Sequence, residues 1–127
     1  MCQKAFGALY APLSKARCKD FAWTRGQPSN FQSSPDVDRG FCASCGTSLT
    51  FAHKGSDYLN ISVGSLDQPE WVRSEIQIGI ESRIAGADEI PQLKYQQTDQ
   101  VLSADRLARV ESYQHPDRDT DVWPATS

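Results

Sequence analysis

An antiparallel all-β domain is what this sequence predicts, and three alternating runs carry the prediction. Leu49 and Phe51 alternate with polar residues, as do Leu59, Ile61 and Val63, and then Ile76, Ile78 and Ile80. Successive side chains of a strand point to opposite faces, so runs of period two read as strands with one covered face. Turn-forming residues separate these runs at short intervals, which suits hairpins rather than the long crossovers a parallel sheet needs.

The remaining elements follow in chain order. Cys2-Gln3-Lys4-Ala5-Phe6 are good helix formers ending at Gly7, which predicts a single turn or short helix. Phe21-Ala22-Trp23-Thr24-Arg25 alternates, Gly26-Gln27-Pro28 turns the chain, and Ser29–Ser33 reads as a second strand, predicting a hairpin. Ser34-Pro35-Asp36 is a turn, and Val37-Asp38-Arg39-Gly40-Phe41 leads into the first cysteine of a Cys-x-x-Cys pair. His53-Lys54-Gly55-Ser56-Asp57 supplies a hairpin loop, and Gly64–Pro69 is a longer break in which Asp67 reads as a turn former. Past Glu81 the pattern decays. Ser103 is placed to cap a short amphipathic helix over 104–113, with Leu107 and Val110 on one face. The stretch 115–127, rich in Pro, Asp, Thr and Ser, is expected to lie loosely on the surface.

Composition narrows the function classes. The chain has 127 residues, 39% hydrophobic, which fits one domain. No run approaches the ~18 apolar residues of a membrane span, and no signal-peptide pattern is present, so a soluble cytoplasmic protein with no membrane partner is expected. A net charge of −3 argues against nucleic acid, whose phosphates call for clustered Lys and Arg. The charge is uneven: residues 1–26 carry Lys4, Lys15, Arg17, Lys19 and Arg25 against Asp20 alone, or +4, leaving −7 for the rest. Such a run suits a solvated face, or a patch that helps hold a small anion.

The chemistry concentrates in the cysteines, at 2, 18, 42 and 45. Cys42-Ala43-Ser44-Cys45-Gly46 lets two thiolates grip one metal ion from a tight turn, with Gly46 free to adopt a backbone conformation that a β-carbon resists. Three readings compete: a zinc knuckle, a redox pair and a structural pair. A redox pair normally opens a helix whose dipole lowers a thiol pKa, whereas Thr47–Phe51 here continues as strand, so the knuckle is the better fit. A tetrahedral site needs more ligands than this turn supplies. Cys18, between Arg17 and Lys19, reads as a part-exposed thiol, and His53 and His115 as solvated side chains.

Four segments in order resemble one known family: Cys2–Gly7, Phe31-Gln32-Ser33-Ser34, Arg39–Thr47 and Gly64–Pro69. Together, over Cys2 to about Leu93, they look like the glutathione-dependent formaldehyde-activating enzymes, or CENP-V/GFA domain. The resemblance implies an Mss4-like β-tent of antiparallel sheets with a short C-terminal helix. It places the domain at 1–98 and a C-terminal helix and surface tail at 99–127.

It also implies two Zn2+ sites. Cys42 and Cys45 match half of a four-cysteine structural site, and Cys2 matches the last cysteine of a Cys-x-Cys-x-x-Cys site that leaves a position open for a thiol. Met1 falls inside that motif, so the cysteines before Cys2 and the earlier pair have no counterpart, and Cys18 matches none of the ligands. The expectation is therefore a domain that lacks its N-terminal part, incomplete at both sites, and unstable and inactive alone. Arg39 or Lys4 would offset the negative charge of a tris-thiolate zinc. The implied activity is that of a carbon–sulfur lyase adding a small-molecule thiol such as glutathione to formaldehyde or a related electrophile. The alternative is a non-catalytic zinc-binding module for protein contacts.

Overall fold

The computed structural model describes residues 1–122, in which five strands form one antiparallel sheet. β1 (Leu13–Arg17), β2 (Ser29–Ser34), β3 (Val37–Phe41), β4 (Ser48–His53) and β5 (Tyr58–Ser62) lie in the order β1-β5-β4-β3-β2. The all-β class therefore holds. β2 to β5 follow one another as a meander, and β1 closes on the far edge with Leu13 opposite Ser62 and Arg17 opposite Tyr58. Pro35 and Asp36 make the tight turn between β2 and β3, where proline fixes its own φ and aspartate favours the bend. Ahead of the sheet, α1 (Cys2–Phe6) ends at Gly7, whose left-handed φ of 59° stops the helix as the sequence predicts.

Register puts unlike side chains in line. Phe31 stands opposite Arg39, Arg39 opposite Phe51, Phe51 opposite Asn60, and Asn60 opposite Lys15, so one row crosses the whole sheet. Cross-strand neighbours on a face touch, and here cations meet rings: Arg39 Cζ lies 4.9 Å from the Phe51 ring centroid, and Lys15 Nζ lies 4.1 Å from that of Tyr58. Val37 and Leu59 are the buried apolar side chains among the described residues, joined in the interior by Arg39 and Ser62. The core is thin, and the charged side chain within it is the exception that needs an account.

Three local expectations are corrected. Phe21–Arg25 is not a strand; Phe21 and Trp23 instead pack edge-to-face at 5.0 Å, and the strand that pairs with β5 is the earlier Leu13–Arg17. That segment is polar and poor in β-branched residues, so pairing with β5 overrode its weak propensity, and its Lys15 and Arg17 suit an edge. Ile76–Ile80 is not a strand either: no described strand pairs with it, and Gly79 sits at φ 75°, which breaks an extended path. The helix expected over 104–113 is shorter. α2 (Thr98–Val101) and α3 (Ala104–Leu107) are single turns, and with Leu107 and Val110 exposed no packing extends them. Ser103 does precede α3, without a side-chain cap. The surface-tail expectation for residues 123–127 lies outside the described residues.

The chain divides into two compact units, one of Met1–Ile76 with the segment from His115 on, the other of Gln77–Gln114. Within the first, Arg25 pairs with Asp119. Within the second, Arg83 Nη1 donates to both carboxylate oxygens of Asp88, at 2.6 and 2.8 Å. No described helix is long and apolar enough to cross a membrane.

Two predictions follow from these contacts. A β-carbon at Gly40 would lie 2.4 Å from Thr50 Oγ1 on the neighbouring strand, a short side chain with little room to yield. Gly40→Ala should lower the unfolding free energy in urea by about 1–3 kcal/mol, and adding Thr50→Ala should recover part of it. The second concerns acid. The hydrogen bond from Arg25, then its charge, hold the Asp119 carboxyl below its ordinary 3.8. A lowered folded pKa means the contact contributes above the unfolded value and is lost as pH falls through the lowered one. An NMR titration should place the Asp119 midpoint below 3.8, and Arg25→Gln should raise it.

Candidate metal turn and the Arg39 cavity

The cysteine turn is closed by its own backbone. Cys42 N–H donates to the Thr47 carbonyl at 2.9 Å, and Gly46 N–H donates to the Cys42 carbonyl at 2.8 Å. These bonds bring the end of β3 and the start of β4 together and fix the two cysteines on one loop. Gly46 takes φ 75°, in the left-handed region that suits glycine, so the glycine after the second cysteine has the role read from the sequence. Cys45 Sγ lies 3.1 Å from Thr47 Oγ1.

Cys2 is elsewhere, on α1, where its Sγ accepts a hydrogen bond from Arg39 Nη2 at 3.3 Å. Ser48 Oγ donates to the Ala5 carbonyl at 3.3 Å, a second tie between α1 and the sheet. Cys18 is exposed, its Sγ 3.6 Å from the Ser56 carbonyl, and His53 packs edge-to-face on Phe51 at 5.1 Å. His115 meets Pro116 O at 2.7 Å and Thr120 Oγ1 at 2.9 Å.

By kind, the donors of the turn suit zinc, since two cysteines spaced Cys-x-x-Cys make half of a tetrahedral thiolate shell. By number they fall short. Among the described residues no group of three or more His, Cys, Asp or Glu is placed to hold a metal ion. Cys2 is not gathered with Cys42 and Cys45 into such a group, so the described side chains do not complete a site.

Arg39 gives the site its second feature. It is only 7% exposed, its Nε donates to Ser33 Oγ at 3.0 Å, and among the described residues it has no carboxylate partner. The register between β2 and β3 shifts between Gln32 and Ser34, and Ser33 Oγ also reaches the Val37 carbonyl at 3.5 Å. Arg39, with Ala5, Phe6, Phe31, Ser48 and Thr50, lines a cavity of about 180 Å³. The sequence singled out Arg39 as a cation near the cysteines. It missed Ser33, Phe6 and Phe31 as its surroundings, because hairpin register and helix placement decide them.

With that geometry in view, comparison supplies the lineage. The family model described as glutathione-dependent formaldehyde-activating enzyme matches residues 1–82. The chain belongs to that family. No curated protein and no solved structure matches it. Both the cysteine turn and the Arg39 cavity lie inside the matched region, which makes this a formaldehyde-activating-type domain.

The family's cysteine turn should depend on its glycine. Gly46→Ala forces a β-carbon into the left-handed region and should cost about 1–2 kcal/mol in urea unfolding, while Gly46→Asn, which tolerates that region, should cost less.

Proposed function

We propose that this domain promotes addition of a small-molecule thiol, of the glutathione kind, to formaldehyde or a related electrophile, as a carbon–sulfur lyase. Family membership over residues 1–82 is the observation that carries the reading. The Arg39 cavity supports it, because it pairs a cationic residue with a space sized for small reactants.

In the reaction the thiol sulfur attacks the carbonyl carbon, the C–S bond forms, and the C=O π pair moves to oxygen. The proton lost from sulfur ends on that oxygen, giving the S-hydroxymethyl product; the reverse breaks the same bond. Charge develops on the carbonyl oxygen, and N–H or O–H donors aimed at it favour the transition state over the ground state. Arg39 is the charged donor among the residues that line the cavity. Arg39 also donates to Cys2, which ties that thiol to a residue of the cavity lining.

In this proposal zinc is the cofactor, with Cys42 and Cys45 as ligands of one ion and Cys2 as a ligand of another. The support is residue type, spacing and the closed turn. Because the described residues gather no third ligand, the rest of each shell must come from outside those residues. Two copies pooling Cys42 and Cys45 would meet the count, at one zinc per two chains. The same shortfall favours the second reading, a non-catalytic binding module.

Exchange NMR with ¹³C-formaldehyde and glutathione separates the two. Zinc-loaded protein, concentrated enough for copies to pair, should exceed the uncatalysed exchange rate, whereas metal-free protein or Cys45→Ser should not. Zinc bound per chain should fall in step with the rate. Equal rates with and without the loaded protein, for every thiol and aldehyde tried, would sink the enzymatic reading in favour of the binding module.

A further inference from the structure

The cavity lining includes a charged residue, Arg39, for which the described residues provide no counter-charge. Arginine stays protonated at any ordinary pH and carries five N–H donors in a planar fork. Arg39 spends one on the Ser33 hydroxyl and one on the Cys2 sulfur, while the Phe51 ring offers only its face. Its Nη1 has no hydrogen-bond partner among the described residues. The one fully buried, unpartnered side-chain oxygen or nitrogen among them is Ser62 Oγ, so Nη1 keeps access to solvent. Ionised groups this deeply placed in proteins are normally paired, so an unpaired guanidinium here is a ready acceptor of a counter-charge.

The cavity indicates what that partner is. Arg39 is the one ionisable residue of its lining, which otherwise consists of Phe6, Phe31, Phe41, Ser48, Thr50 and small residues. One guanidinium balances one negative charge, and its fork matches the two oxygens of a carboxylate. A doubly charged phosphate would leave one charge uncompensated. The aromatic and small lining suits a short CH2 stem next to the charge. At about 180 Å³ the space exceeds the ~150 Å³ that accommodates benzene. It therefore takes one end of a peptide-sized molecule, not the whole.

We infer that the Arg39 cavity is a carboxylate-binding subsite, which captures the acidic end of the thiol substrate through Nη1 and Nη2 and so sets the sulfur beside the domain's cysteine chemistry. This rests on the thiol reading for which reactant carries the acid.

Titration of the intact chain with glutathione and with its diethyl ester, followed through the amide signals of Phe31, Gly40 and Thr50, tests it. The free acid should bind on the order of tenfold or more tightly than the ester, as expected for losing a charge-assisted hydrogen bond. In Arg39→Gln the acid should fall to the ester's affinity, and Arg39→Lys, which keeps charge but not the fork, should lie between. S-methylglutathione should keep the acid-over-ester preference, since its carboxylates are intact. If Arg39→Gln does not fold, the acid–ester pair on the natural chain still decides. Equal affinity for acid and ester, binding of neither, or shifts confined to residues away from the cavity would overturn the subsite. An acid preference without thiol–aldehyde exchange would leave the subsite standing and remove the thiol chemistry. Equal affinities with exchange intact would do the reverse.

Discussion

Pairing of β3 with β2 on one side and β4 on the other is the constraint from which everything else in this domain follows. β3 delivers Arg39 to the interior and two residues later feeds the cysteine turn, so the buried cation and the thiol pair hang from one strand. The hydrogen bonds that close the turn, between Cys42, Gly46 and Thr47, also set where β4 begins. A slip of one residue between β3 and β4 would turn Arg39 to the other face and undo the turn at once. Local loop geometry and sheet register are thus a single requirement here, written in two places.

The sheet shows how a small domain accommodates a costly residue. Arg39 is flanked in its row by Phe31 and Phe51, and the Phe51 ring lies against its guanidinium without supplying a full opposite charge. A serine hydroxyl and a thiol take two of its donors and fix its orientation. Such an arrangement contributes little to folding by itself, because a desolvated guanidinium gains most from a partner with a full negative charge. Groups held at such a cost are common where binding or chemistry occurs.

How much of this was legible in the sequence depends on the range of the interaction. The turn at Cys42–Gly46 could be read directly, because spacing and a glycine after the second cysteine are local facts. β4 and β5 were legible from Leu49, Phe51, Leu59 and Ile61, whose alternation matches their strands. β1 was not, since Leu13-Ser14-Lys15-Ala16-Arg17 has no strand signature of its own and is extended because β5 offers it an edge. The isoleucines at 76, 78 and 80 misled for the opposite reason: the pattern is right, but the described residues offer no edge to it. Arg39 was visible as a cation near cysteines, while its burial depends on where Phe31, Phe51 and α1 fall across the sheet, which no window of sequence contains.

Gly79 gives that misleading segment its consequence. Ile76, Ile78 and Ile80 are among the more exposed apolar side chains of the described residues. A flat ribbon of alternating isoleucines with open backbone donors and acceptors is a template on which other chains can stack. The left-handed bend at Gly79 keeps the three from lying along one straight edge. The segment therefore does not present the straight apolar edge on which such stacking is built.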